Sequence, residues 1–401
     1  MSWEKVKLGD ISANIQTGPF GSQLHQSDYS EEGTPVVMPK DLVAGHISEA
    51  SIARVSDDHV SRLNRHKIQV GDILYSRRGD VGRCAFATEY EKGWLCGTGC
   101  LRVTIDTEKA VPKFVFYQLQ KAETICWVEK HAVGSTMLNL NTSILSNVPV
   151  ELPPIAEQKR IVEILSAFDA LIENNQKQIK LLEEAAQRLY KEWFVDLRFP
   201  EYGNTPIVDG VPEGWQKCTL NEICTVKKDT VTSKQITPDT PYIGLEHMPR
   251  IDFCLSDWGK AEDVTSNKFR YSEDDIIFGK IRPYFHKVGF ALNCGVVSTD
   301  SFVMVAKSGL WGLLLMTVFD KAFVEYTYQT CKEGSKMPRA DWKQMERYPV
   351  LIPNQDILNQ FEQYVWTVTR KIKMLALQNH ALSEARDRLL PKLMNGEIEV
   401  L

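Results

Sequence analysis

Two long stretches of the chain carry apolar residues at alternating spacings of four and three. The first runs through Ile161, Leu165, Phe168, Ile172, Asn175, Ile179, Leu182, Ala186, Leu189 and Trp193. The second runs through Phe361, Val365, Val368, Ile372, Leu375, Asn379, Leu382, Arg386, Leu389 and Leu393. A 3.5-residue repeat confined to a narrow stripe predicts helices that pair along a seam, not helices that lay a broad face on their own domain. Asn175 and Asn379 interrupt the seams. A polar residue there either sets the register at some cost in stability or simply lies at the surface. The second stretch stops at Asn395 and Gly396, residues suited to a helix C-terminus.

The rest of the chain reads differently. Short apolar or alternating runs such as residues 71–76 and 301–305, punctuated by Gly, Asn and Pro, predict strands. Residues 198–215 hold Pro200, Gly203, Pro206, Gly210, Pro212 and Gly214. That composition suits neither a helix nor a central strand, so it predicts a linker.

The pattern occurs twice. From Gly134 onward, adding 200 to a residue number finds its counterpart without a gap: Gly134-Ser135 with Met137 returns as Gly334-Ser335 with Met337, and Pro149-Val150 with Pro153 as Pro349-Val350 with Pro353. Earlier matches keep their order with small shifts, including Trp3 with Trp215, Asp72-Ile73 with Asp275-Ile276, and Phe86-Ala87 with Phe290-Ala291. A common order argues for two copies of one unit. A helix of about 40 residues is about 60 Å long. A linker that delivers the chain to the far end of the first helix lets the second helix run back antiparallel. The expected fold is therefore α+β: two strand-rich α/β domains separated by two long antiparallel coiled-coil helices, with a pseudo-twofold repeat. The expected boundaries are residues 1–153 for the first globular domain, 154–196 for the first spacer helix, 197–213 for the linker, 214–353 for the second globular domain and 354–395 for the second spacer helix.

Composition narrows the class. The chain of 401 residues is 43% hydrophobic, ordinary for a globular protein, and its net charge is -5. No global basic field draws it to nucleic acid, so any DNA binding must come from local positive charge. Nine cysteines are scattered without a C-x-x-C pair, which argues against a zinc ribbon or a disulfide framework and fits a reducing cytoplasm. The N-terminus does not resemble a signal peptide, and the longest apolar stretch, residues 310–318, is too short to span a bilayer.

Searches for catalytic chemistry return nothing. The Gly-Lys pairs at 259 and 279 lack the spacing and hydroxyl residue of a phosphate loop. Leu152-Pro153-Pro154-Ile155 is not the Asn/Asp-Pro-Pro-aromatic segment an adenine methyltransferase needs to hold a flipped base. Gly97-Thr98-Gly99 imitates an AdoMet loop, but its counterpart Ser298-Thr299-Asp300 has no glycine. The eight histidines are dispersed, and no catalytic or metal-ligating set is nominated.

Two similar modules on a rigid spacer suit a ligand with matching repeats, and B-DNA presents equivalent groove faces about 34 Å apart. At this point several motifs carry a resemblance. Gly18-Pro19-Phe20-Gly21-Ser22, Gly71-Asp72-Ile73-Leu74, Gly134-Ser135-Thr136 with Leu140-Asn141, and Val148-Pro149-Val150 with Leu152-Pro153-Pro154 and Glu157-Gln158 resemble the specificity (S) subunits of Type I restriction–modification systems. So do residues 192–200 and 389–398, while Asn354 and Leu358 depart from the pattern at the second helix start. The resemblance implies two target recognition domains, each reading one half of a bipartite, asymmetric site on double-stranded DNA. It further implies that the helices dock two adenine methyltransferase (M) subunits, with restriction/translocase (R) subunits added for cleavage. AdoMet, ATP and Mg2+ would then belong to the partners, and this chain would need no cofactor and no membrane. The rival reading is a coiled-coil protein-binding scaffold without DNA specificity.

Contacts to DNA are expected from local cations, amides and small polar side chains. A hairpin-like segment supplies Arg77, Arg78 and Arg83, and its repeat supplies Lys280, Arg282, Tyr284 and Lys287. The loop before the last helix of the first module supplies Ser135, Asn139 and Asn141, and its copy supplies Lys336, Arg339 and Lys343. Tyr190, Trp193 and Phe194, with Leu389 and Leu390, either close the junction between helix and domain or, if exposed, mark a docking site for the methyltransferase.

Overall fold

The computed structural model describes residues 3–134, 137–262, 264–331 and 337–400. The chain forms two compact units, one of Met1–Asp169 with Glu384–Leu401 and one of Ala170–Ser383. Each unit thus combines one globular part with one end of each long helix, Ile155–Tyr190 and Gln355–Met394. The helix starts differ by the same 200 residues as the sequence repeat.

The architecture is α+β. In the first unit a central sheet runs in the order Ser12–Thr17, Cys100–Ile105, Ile73–Ser76, Cys84–Phe86, all antiparallel, with Leu101 opposite both Thr17 and Tyr75. The second unit repeats the order with Cys224–Lys227, Ser301–Ala306, Ile276–Gly279 and Val288–Ala291, and adds Cys254–Leu255 in parallel at the edge. In the first unit that addition is reduced to a single parallel bridge, Gly45 to Ala85. Alternation along these strands sends Ile73, Tyr75, Leu101 and Val103 into the main core with Phe114 and Tyr117, while Leu74 and Cys100 face a smaller core under a second sheet. A final strand in each unit, Pro149–Leu152 or Pro349–Ile352, pairs antiparallel with the first, Glu4–Lys7 or Gln216–Thr219, and leads into the long helix.

The two helix starts are held differently. Gln158, buried, accepts a hydrogen bond from the Val111 amide at 2.9 Å and donates to the Pro153 carbonyl at 2.8 Å. In the repeat Leu358 occupies that place, and the task moves one turn on: Glu362 accepts from the Gly312 and Leu313 amides at 2.7 and 2.8 Å. Asn354 then caps the helix through the Ile357 amide at 3.0 Å.

Within each unit the helix segments run antiparallel. In the first, Ile161 and Leu165 share a core with Leu393 and Met394, and Arg386 meets Asp169 at 3.0 Å. In the second, Asn175 is buried and donates to Asn379 at 2.9 Å and to Gln378 at 3.2 Å, so the polar seam residues face each other rather than solvent. One expectation needs correcting. The seams are shared and not reserved for the partner helix: Ile161 and Leu165 also pack with Phe114, and Phe361, Val365 and Ile372 with Leu313 and Leu314. A seam residue flanked by half-buried neighbours can touch both surfaces, and the sequence period does not separate them.

The linker expectation is also refined. Residues 207–212 form a minimal hairpin around Asp209 and Gly210, both with positive φ, as a tight two-residue turn demands. Phe199 and Trp215 anchor its ends in the core, their rings 4.6 Å apart. Among the described residues no helix is long and apolar enough to cross a membrane.

Candidate functional site

In each unit the hairpin tip and the loop before the last short helix lie side by side, joined by main-chain hydrogen bonds. In the first unit Leu140 donates to the Arg77 carbonyl at 2.8 Å and Gly79 to Leu138 at 3.0 Å, with Arg78 directly opposite Asn139. In the second, Ala340 donates to Lys280 and Arg282 to Pro338, both at 2.8 Å, with Ile281 opposite Arg339. A third segment joins each pair. Arg77 donates to Gly99 at 2.9 Å, and Lys280 to Asp300 at 2.7 Å. The hairpin necks match as well, Ser76 to Arg83 at 2.9 Å and Gly279 to Lys287 at 2.8 Å. One main-chain frame is therefore built twice, making Arg77 equivalent to Lys280, Arg78 to Ile281, Gly79 to Arg282, Arg83 to Lys287 and Asn139 to Arg339.

The frame explains two glycine-rich features. A Cβ on Gly18 would stand 1.8 Å from the Gly97 carbonyl oxygen, so Gly18 packs directly on Gly97. Gly97 and Gly99 in turn make room for Val37, Met38 and Pro39, which a Cβ at either position would meet within 2.8 Å. Gly79 has φ +76, and its counterpart Arg282 takes the same left-handed region at φ +51, a costly conformation for a side-chain-bearing residue.

Side chains fall on two faces of this frame. Arg78 is exposed, and Arg83 is exposed but held by Asp80 at 2.5 Å. Arg77 is half-buried, with its Nε enclosed. Lys280 turns inward: its Nζ lies 4.5 Å from the Phe302 ring centre and 5.3 Å from that of Phe269, and donates to the Thr299 carbonyl at 2.6 Å. Burial, with Arg339 close by, pushes the Lys280 ammonium down to about 8. The expectation of a free phosphate-binding cation is corrected for Lys280, because the residue before Ile281 faces the protein. Lys287 likewise donates to the Leu245 carbonyl, and burial holds its ammonium below the usual lysine range. Arg282 lies 5.6 Å over the Phe285 ring, and Tyr284 is exposed beside Tyr328 at 5.2 Å, lining a cleft of about 1130 Å³ with Arg250 and Ile251.

Of the loop residues, Asn141 caps a short helix through the Ile144 amide at 2.8 Å, and Asn139 exchanges both main-chain hydrogen bonds with Val133. Arg339 is exposed and donates to Asp300 at 2.5 Å, and Lys343 is exposed. Ser135 and Lys336 lie outside the described residues. Asp300 was not anticipated. In the sequence Asp300 is the counterpart of Gly99, and a carboxylate in place of a glycine is the only signal it gives.

The docking expectation changes most. Tyr190, Trp193 and Phe194 form no exposed cluster: Phe194 is 8% exposed, stacks on Tyr190 at 5.3 Å and meets Phe361 at 4.7 Å and Trp215 at 5.5 Å. Trp193 lies 6.0 Å from Phe361. Burying aromatic surface is favourable wherever partner rings are available, and here Phe361 and Trp215 supply them. Leu389 and Leu390 are half-buried against the core of the first unit. Among the described residues no His, Cys, Asp and Glu cluster could hold a metal.

The sequence model described as "Type I restriction modification DNA specificity domain" matches residues 1–184. The MjaIX specificity subunit of Methanocaldococcus jannaschii, a Type I restriction enzyme subunit, is 26% identical over 99% of this chain and 94% of its own length. The HindI specificity subunit of Haemophilus influenzae is 23% identical over 99% of both chains. Along its whole length the chain is similar to Type I specificity subunits, and its first 184 residues match the model of their specificity domain. A crystal structure of a Type I S subunit from M. genitalium shares the fold, with a TM-score of 0.62 at 17% identity over 98% of this chain and 96% of that one. The MjaIX and HindI relatives are both named as specificity subunits of Type I restriction enzymes. The doubled loop frame carries the exposed guanidinium groups of Arg78 and Arg339 and the half-buried amide of Asn139, groups of the kind that base and phosphate recognition uses.

Proposed function

We propose that each unit reads one half of a bipartite, asymmetric DNA target through its loop frame, and that the protein docks two adenine methyltransferase subunits. Restriction subunits join the same assembly for cleavage, and AdoMet, ATP and Mg2+ serve those partners. One observation carries this reading: the same set of main-chain hydrogen bonds is built twice, with different side chains on its outward face. A repeated frame gives two readers, and different side chains give each its own half-site. Arg78, Asn139, Arg339 and Lys343 are the contacts the geometry favours, with Arg282 and Tyr284 beside them. Docking is supported by apolar side chains exposed on the long helices, among them Leu171, Leu181, Tyr364, Trp366 and Met374. Of the aromatic residues expected from the sequence, Phe194 is buried and Tyr190 and Trp193 are half-buried.

The test is to assemble the chain with its methyltransferase, present random-sequence duplex DNA, and sequence what is methylated. Two short conserved blocks at a fixed spacing are expected. Enrichment of a single continuous block, or none, rejects the proposal and leaves a protein-binding scaffold.

A further inference from the structure

Residues directly opposite one another on paired antiparallel segments share a face, and their neighbours point the other way. In the second unit the inward direction is occupied by Lys280, lodged between Phe269 and Phe302, and by buried Ala340. In the first it is occupied by half-buried Arg77 and buried Leu140. The outward face therefore belongs to Arg78 with Asn139 in the first unit and to Ile281 with Arg339 in the second. At one position of the frame an asparagine has become an arginine.

The surroundings of the two differ in the way their chemistry requires. The Asn139 carboxamide makes no hydrogen bond to any described residue, while its main chain is fixed in both directions by Val133 at 2.8 and 3.0 Å. It is a short side chain on a rigid base, and needs no further support to present its amide. Arginine is long, and an unsupported guanidinium loses much rotamer freedom on binding. Arg339 is supported. Asp300 takes one Nη2 hydrogen at 2.5 Å, and among the described residues the remaining donors of the fork have no hydrogen-bond partner. In the first unit the equivalent of Asp300 is Gly99, which offers no carboxylate to the Asn139 position.

In the major groove a carboxamide matches adenine, through N6 and N7, and a guanidinium matches guanine, through O6 and N7. We propose that Asn139 specifies an adenine in the half-site read by the first unit. Arg339, positioned by Asp300, specifies a guanine in the half-site read by the second. Both residues are specificity-determining, and the inference rests on the DNA-reading role proposed above.

The experiment uses the full chain assembled with its methyltransferase on a random-sequence duplex library, comparing the wild type with Arg339→Asn and Asn139→Arg. Arg339→Asn should change one position of one half-site from guanine to adenine, by roughly 5- to 150-fold in relative enrichment. Asn139→Arg should change one adenine to guanine in the other half. The untouched half in each variant shows that the protein is folded and docked. An unchanged consensus overturns the inference, as does equal loss of enrichment across both halves. So does a uniform fall in affinity with a salt slope reduced by about one, the mark of a phosphate contact. A wild type without a two-part consensus fails at the earlier step and removes the DNA-reading role itself.

Discussion

Glu183 gives the sharpest test of how the first long helix is fastened within the second unit. Its side chain is 3% exposed, and Oε1 accepts the Phe253 amide at 3.1 Å. Burial raises the carboxyl to about 8 from an ordinary 4.5, and nearby Asp252 adds to the rise. The Phe253 and Cys254 amides favour the charged form but do not outweigh burial. A carboxyl whose folded-state pKa is raised binds its proton more tightly in the folded protein. Its contribution to stability is fully present below the unfolded pKa and is lost as pH climbs through the folded one. The window is therefore about pH 4.5 to 8, and the displacement corresponds to at most roughly 4 to 5 kcal/mol across it. Glutamine keeps an acceptor oxygen for the Phe253 amide and cannot ionise. Glu183→Gln should match the wild type near pH 5 and exceed it by a few kcal/mol at pH 9, measured as the difference in urea unfolding free energy at each pH. Slopes due to groups that do not interact with Glu183 cancel in that difference. A gap that stays constant from pH 5 to 9 would refute the reasoning, because it would mean that the charged carboxylate is no worse housed than the neutral one.

Three further outcomes follow from the packing. Phe194→Ala should cost about 3 to 5 kcal/mol in thermal or urea unfolding, since the ring is enclosed by Tyr190, Trp215 and Phe361; unchanged stability with lost methyltransferase binding would restore it as a docking residue. Asn175→Ala strands the Asn379 amide and should cost about 1 to 3 kcal/mol, whereas the double change Asn175→Leu with Asn379→Leu should recover most of it; additive losses in the double-mutant cycle would contradict the pairing. Lys343→Ala should lower the salt slope of DNA binding by about one, while Lys280→Ala should leave the slope unchanged because its ammonium is committed to Thr299 and two rings.

The parts of the molecule legible in the sequence are those set by short-range pattern. A 3.5-residue stripe marks a helix whatever it packs on, and the 200-residue offset places both helix starts because no insertion separates the copies after Gly134. The basic hairpin tips were visible for the same reason, as matched cations in two diverged copies. What escaped depends on contacts between distant positions. Tyr190, Trp193 and Phe194 look like an exposed aromatic end until Trp215 and Phe361 are folded over them. Asp300 and Arg339 stand 39 residues apart, and nothing in either segment announces the other. The inward turn of Lys280 follows from pleat alternation, but only once the pairing of Ile281 with Arg339 shows that the alternation continues past the strand end.

The division between the two faces of the frame bears on how such a protein changes its target. The frame is held by main-chain donors and acceptors, which every residue except proline supplies alike. An outward position such as Arg339, which is exposed, can therefore be exchanged at little cost to folding, since exposed substitutions usually move stability by less than about 0.5 kcal/mol. Inward positions lack that freedom. Lys280 is wedged between Phe269 and Phe302, and Leu140 and Ala340 are buried. A side chain supported from the frame needs one compensating change at most: Asp300 accompanies Arg339 where Gly99 suffices for Asn139. Recognition can then vary by one or two substitutions in one unit while the fold, the other unit and the helix seams stay as they are. Two copies of one frame that keep the same main-chain hydrogen bonds under different side chains are what that separation of stability from specificity would leave behind.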